Sequence, residues 1–230
     1  MKQDEIEKAY EIVKGGGLII CPTRVGYILV GASARALKRK FELKERAEKK
    51  SAVVLTNYTQ LPGIAQIPPQ HKRFIDGIEH IQILCGFILK RNDRAFSHLD
   101  GRIQALTQQP DNSSCFVIHH GVYSEYLAKR AAKDGIFVFA SSANKSGTGN
   151  RGRFKNIGDR IVGGVDYAIE HDEYVAQDYE PDSGEQGVMV SFITPKPTVI
   201  RRGLKLQLIT DLLTDIYGAD GWIMDHGAHP

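Results

Sequence analysis

Ser142 and Asn144 stand two residues apart in "SSANKSG", directly after the apolar run "IFVFA" at 136–140. A hydroxyl and an amide among small residues offer hydrogen bonds with little bulk. In α/β proteins the carboxyl end of a central strand is where ligands are placed. Gly147, Gly149 and Gly152 follow and spell G-x-G-x-x-G, with Glu170 about twenty residues beyond Gly149. A dinucleotide fingerprint needs its first glycine at the strand-to-helix turn, so that a helix N-terminus meets the pyrophosphate. Here Gly147 comes seven positions after Ala140, and the following "RFKNIGDRIVGG" is a poor helix. The fingerprint is disfavoured. The stretch reads either as a solvated loop after a core strand or as a polar loop that holds a phosphate.

Other segments offer complementary groups. "LKERAEKK" gathers Lys44, Arg46, Lys49 and Lys50 just before the apolar run "SAVVLT". Such a cluster is commonly a solvated helix end that complements the helix dipole. At a sheet rim it could instead bind phosphate, with Arg as a fork and Lys as a point charge. "CPTRVGY" places Thr23, Arg24 and Tyr27 after Pro22, and "VIRRG" ends a strand with Arg201 and Arg202. Taken alone, these read as a proline turn and an exposed edge. "VIHH" offers His119 and His120, a pair that at a strand end is more often surface than catalytic.

The elements that must position these groups follow from periodicity. Ile6, Ala9, Tyr10 and Val13 form one face of a helix over 4–14, which Gly15 to Gly17 stop. Ser33 caps a second helix with Ala34, Leu37 and Phe41 on one stripe. "GLIICPT", "SAVVLT", "QILCGFIL", "SCFVIH" and "IFVFA" read as strands, the last without polar interruption and so covered on both faces. "VYSEYLAKRAAKDG" is a helix closed by Gly135, "GVMVSFI" and "TVIRR" form a late antiparallel pair, and "LQLITDLLTDIYG" is a C-terminal helix with Leu208, Leu212 and Ile216 in line. The tail from Gly218 carries no pattern and is expected to be loose. Strands alternating with helices predict an α/β layer fold.

Composition narrows the class. A net charge of +3 over 230 residues is too small to argue nucleic-acid binding, though it suits an anionic small ligand. Cys21, Cys85 and Cys115 are odd in number and form no C-x-x-C pair, which argues against a disulfide framework or a zinc site. "MKQDEIEKAY" has no secretion-signal core, and no apolar run spans a bilayer. A cytoplasmic protein is expected, with no membrane partner.

Four of these segments, in this order, resemble the YrdC-like family, the threonylcarbamoyl-adenylate synthases. They are Pro22-Thr23-x-x-x-Tyr27; Lys44-x-Arg46 with Lys50; Ser142-x-Asn144-x-Ser146-Gly147; and Arg201-x-Gly203. The similarity covers about residues 3–203. It implies a YrdC-like twisted, open, mixed α/β sheet flanked by helices, with a large concave cavity. Residues 1–205 would form that domain, with 206–230 as a helix and tail that either belong to it or are flexible. The resemblance further implies ATP, bicarbonate and an amino acid, usually threonine, as reactants. Mg²⁺ would be held mainly through phosphates, since no metal site in the chain is expected. Lys44, Arg46 and Lys50 would be the catalytic cations. Ser142, Asn144 and Arg201 would hold the nucleotide, while Thr23, Tyr27, Arg24 and His119 would face the amino acid. RNA and a second copy of the chain stand as further candidate partners.

This sequence departs from the family pattern at the amino-acid half. Arg24 replaces an acidic residue, and Ile28 replaces a glycine. A Pro-Gly-Pro segment gives way to "HIQILCGFIL", and Gly187-Val188 replaces Ser-Thr. The next strand lacks an arginine, with His119 or His120 nearest. The acceptor is therefore open between threonine and another amine or acid. A non-catalytic nucleotide- or RNA-binding protein and a carbamoyl-transfer relative remain as alternatives.

Overall fold

The computed structural model describes residues 2–45, 51–145, 152–177, 180 and 183–225. Among these, ten strands form one mixed sheet in the order β10-β9-β8-β4-β5-β3-β6-β2-β1-β7. They are β1 (Leu18–Thr23), β2 (Gly26–Gly31), β3 (Val53–Leu55), β4 (Cys85–Lys90), β5 (Ser113–Ile118), β6 (Val138–Ser142), β7 (Tyr167–Ala168), β8 (Val188–Ser191), β9 (Thr198–Arg201) and β10 (Ile223–Met224). The longer helices are α1 (Gln3–Lys14), α2 (Ala34–Leu43), α3 (Pro69–Ile81), α4 (Gly101–Thr107), α5 (Val122–Lys133) and α6 (Leu206–Tyr217).

Alternation along β6 explains how the sheet is covered. Phe139 faces the main core, where Leu37 and Phe41 of α2, Phe74 and Ile78 of α3, and Ile209 and Leu213 of α6 meet Phe87, Phe116 and Val190. Val138 and Ala140 face the other side, against Ile6, Tyr10 and Val13 of α1 and Leu127 and Ala131 of α5. A strand buried on both faces reads as an uninterrupted apolar run, as "IFVFA" does. Among the described residues, helices do not cover the second face everywhere. Toward β8 and β9 it carries a small cluster of Ile88, Cys115, Met189 and Ile200 that contains no helical residue.

Several elements differ from the patterning. β2 has no counterpart among the strands the patterning predicts, and Gly26 and Gly31 bracket it like turn residues. Gly26 takes φ 104° at the β1–β2 turn, and a Cβ on Gly31 would come within 2.8 Å of Ala36 Cβ. α3, likewise without a predicted counterpart, begins at a Pro-Pro pair. The C-terminal helix packs Leu212 and Ile216 against the core as expected, but its most buried residues lie beside that stripe. Ile209 and Leu213 are buried, while Leu208 is 51 % exposed. α6 docks closely on α3, where a Cβ on Gly77 would lie 2.8 Å from Leu212 Cδ2. The tail is not patternless either, since β10 pairs parallel with β9 through Ile223 and Thr198. Residues 226–230 lie outside the described set.

Candidate functional site

Two of the motif segments meet at the end of β6. Ile28 pairs with Ser142, and the Ala143 amide extends the contact by donating to Tyr27 O at 2.8 Å. This fixes where the chain leaves the sheet and therefore where Ser142 and Asn144 sit. α2 ends beside them. Ser33 caps its start by accepting from the Ala36 amide at 3.1 Å, and Lys44 is its C-terminal cap residue. The Lys44 side chain turns inward and is 1 % exposed. Its Nζ donates to Ser142 O, to Ser142 Oγ at 3.3 Å and to Asn144 O at 2.7 Å. Such a buried ammonium is tolerable because several oxygens replace its water.

A second link joins the same loops at the surface. Glu45 adopts φ 49°, and its Oε2 lies 2.7 Å from Lys145 Nζ. Its Oε1 lies 2.6 Å from Arg160 Nη1. The Lys145 hydrogen bond and charge, with Arg160 adding to them, hold the Glu45 carboxyl below the usual carboxylate range. Arg46, Lys49 and Lys50, and Ser146, Gly147 and Gly149, lie outside the described residues.

Tyr27 borders this junction through the Ala143 amide, and Thr23 lies at the β1–β2 turn opposite Gly26, each with its hydroxyl engaged. Thr23 Oγ1 donates to Gly26 O at 2.8 Å and accepts from the Val25 amide at 3.2 Å. Tyr27 Oη donates to Asp172 Oδ1 at 2.6 Å and accepts from the His171 amide at 2.9 Å. The same Asp172 oxygen accepts the Phe154 amide at 2.8 Å. Burial, reinforced by the Asp172 carboxylate, pushes the Tyr27 phenol above its ordinary pKa. Asp172 thus ties the β1–β2 hairpin to the chain that returns from the glycine-rich loop. Sequence reasoning missed Asp172, and nothing in its local sequence signals the role.

Arg24 and His119 form a separate group. The Arg24 amide donates to His120 O at 3.3 Å, and its Nη1 donates to Gln82 O at 2.6 Å. His119, at φ 55°, places Nε2 2.9 Å from Glu79 Oε2. Burial lowers the His119 pKa, and the Glu79 charge opposes that shift. His120 points inward. Its Nε2 lies 3.0 Å from Thr56 O, which can only accept, so the other nitrogen, Nδ1, accepts from Ser124 Oγ at 2.7 Å. Burial drives the His120 pKa down to about 4, which makes it a neutral structural side chain.

Arg201 is placed at a distance in the sheet, with β8, β4, β5 and β3 separating its strand from β6. An irregularity between Met189 and Val190 puts Arg201 opposite Met189, on the face that carries Cys115. Its Nε donates to Gly187 O at 2.8 Å. Burial lowers the Arg201 pKa, with the nearby Cys115 and Cys85 acting in opposition. A cavity of about 590 Å³ opens on that face among Ile88, Ser113, Ser191, Thr198 and Ile200. Lys44, Ser142, Asn144 and Arg201 are not among its lining residues. Among the described residues, no group of three His, Cys, Asp or Glu side chains is placed to hold a metal ion, and no helix is long and apolar enough to cross a membrane.

Comparison with known proteins adds an independent line. The Sua5/YciO/YrdC family model, described as telomere recombination, matches residues 11–203. The crystal structure of a hypothetical protein, smu.1377c from Streptococcus mutans UA159, is 36 % identical with a TM-score of 0.87, covering 99 % of this chain and 95 % of that one. E. coli YciO is 19 % identical with a TM-score of 0.69, covering 88 % of this chain and 91 % of its own. P. abyssi Sua5 complexed with L-threonine is 16 % identical with a TM-score of 0.68, covering 97 % of this chain and 60 % of its own. Among curated proteins, none matches the chain.

Proposed function

The chain belongs to the Sua5/YciO/YrdC family, which includes the threonylcarbamoyl-adenylate synthases, and from that premise we propose that it is an ATP-using synthase of a carbamoyl-adenylate. The observation that carries this reading is the junction at Lys44, where two motif loops are fastened together at the end of a central strand. An amine and bicarbonate would condense to a carbamate with loss of water. A carbamate oxygen would then attack the α-phosphorus of ATP, forming the new P–O bond as the bond to pyrophosphate breaks. The product would serve tRNA threonylcarbamoyladenosine synthesis or a related pathway in the cytoplasm.

This chemistry asks the protein for positioning and for positive charge near the departing pyrophosphate. Ser142 and Asn144 would hold the nucleotide by hydrogen bonds, with Lys44 keeping both in place. Arg46, Lys50 and Arg201 would neutralise phosphate charge. Mg²⁺ would arrive on the phosphates and add charge there, in keeping with its preference for phosphate and water ligands. Threonine is the first candidate acceptor, since the related Sua5 was crystallised with it. Thr23, Tyr27, Arg24 and His119 are proposed to border the acceptor.

A second reading is favoured by the engagement of Arg24 with Gln82 and of His119 with Glu79. The Arg24 hydrogen bond and the close approach of His119 to Glu79 occupy the groups expected to replace the family's amino-acid contacts. A protein of this kind would bind a nucleotide or RNA without carbamoylation. One experiment separates the two. The protein is incubated with ATP, Mg²⁺ and labelled bicarbonate, with and without each common amino acid, and pyrophosphate and adenylate products are measured. Amino-acid-stimulated pyrophosphate release is expected. ATP binding without stimulation by any amine would refute the synthase and leave the binding protein.

A further inference from the structure

We infer that Lys145 is the ammonium that receives the polyphosphate, and that Glu45 holds it in waiting until the anion arrives. The inference rests on the nucleotide-binding reading and assigns a residue to it. Lys145 and Glu45 occupy the interior positions of their motifs, Asn-Lys-Ser and Lys-Glu-Arg.

Among the described residues, two lysines of the junction stand in opposite circumstances. Lys44 is 1 % exposed, and its Nζ bonds Ser142 O, Ser142 Oγ and Asn144 O. Swinging it toward a ligand would strip those carbonyls of this donor, a costly change in a buried site. Lys44 is therefore an anchor. Lys145 follows Asn144 directly, and the side chains of Lys145 and Glu45 are 62 % and 43 % exposed. An exposed ion pair of this kind contributes little, so its ammonium can change partners readily. Phosphate oxygens, with their higher charge, compete well for it.

Arg160 makes the exchange feasible. Its Nη1 lies 2.6 Å from Glu45 Oε1, and its Nη2 donates to Glu42 O at 3.0 Å. When Lys145 leaves, Glu45 keeps a cation beside it and does not face the incoming anion unneutralised. The left-handed backbone at Glu45, φ 49°, is uncommon for a residue with a side chain. It ends α2 with the carboxylate between the two cations.

The test is calorimetric titration of ATP with Mg²⁺ at low ionic strength, with thermal melts confirming that each variant is folded. Lys145→Ala should weaken ATP binding about tenfold or more, and Lys145→Arg should retain most of the affinity. Glu45→Gln should tighten binding, because Lys145 no longer has to leave a carboxylate. Arg160→Gln should weaken it, and Glu45→Gln added to Arg160→Gln should restore it. Parent-like affinity in Lys145→Ala, or unchanged or weaker binding in Glu45→Gln, would overturn the assignment while leaving nucleotide binding intact. A parent protein that binds neither ATP nor tripolyphosphate would overturn both.

Discussion

Lys44→Met is the most informative single perturbation of the junction. Methionine keeps much of the apolar stem and removes the ammonium. Ser142 O and Asn144 O then each lose a donor at a place where Lys44 is 1 % exposed. A buried polar group left without a partner costs about 1–3 kcal/mol. Two such groups suggest about 2–6 kcal/mol, partly offset because a buried charge is no longer desolvated. A net loss of ~2–4 kcal/mol is expected, a large part of the ~5–15 kcal/mol that holds a domain folded. For a chain of this size it lowers Tm by roughly 5–15 °C. The assay is urea denaturation together with amide hydrogen exchange. The damage should be local, with protection lost at the Ala143 amide that bonds Tyr27 O. A stability change below ~0.5 kcal/mol with Ala143 still protected would refute the view that Lys44 anchors the loop.

Other outcomes follow from the same geometry. Tyr27→Phe removes the donor to Asp172 and the acceptor of the His171 amide. It should cost ~1–3 kcal/mol in denaturant titrations, and an unchanged midpoint would contradict the clamp. His120 is held neutral by burial, with its pKa near 4 against an ordinary 6.5. The folded state therefore binds fewer protons than the unfolded chain between those values. Its contribution is complete above pH ~6.5 and is lost as pH falls toward 4, about 3 kcal/mol in all. Burial also lowers the pKa of His71 and His119, so the check is the difference between parent and His120→Gln, whose stability should fall less steeply over that range. Arg201→Ala and Asn144→Ala should each weaken ATP binding about tenfold; titrations that match the parent would remove these residues from the phosphate site.

Much of the frame was legible in the chain. The stripe Ile6, Ala9, Tyr10 and Val13 is buried as the spacing predicts, and the Ser33 cap forms. "IFVFA" marks an interior strand because a strand covered on both faces cannot tolerate polar residues. The four motif segments pointed to the family that the match over residues 11–203 establishes. What escaped was set by distant partners. β2 exists because β1 and β6 flank it, and its bracketing glycines look like turns until the close approach of Ala36 is seen. Of the stripe Leu208, Leu212 and Ile216, the last two pack against the core as the spacing predicts, while Leu208 is exposed and the fully buried pair is Ile209 and Leu213.

The site divides along the same line. Local sequence determined that a hydroxyl and an amide follow an apolar strand, and that a run of cations follows a capped amphipathic helix. Those are short-range facts, written in spacing and propensity. Only the tertiary structure decided that Lys44 turns inward to hold the Ser142 and Asn144 carbonyls, that Glu45 stands between Lys145 and Arg160, and that Asp172 reaches Tyr27 across 145 residues. Where a charged side chain goes depends on which oxygens the sheet order brings within its reach. That order places β6 between β3 and β2, a choice made by burial over the whole sheet and not by any one segment.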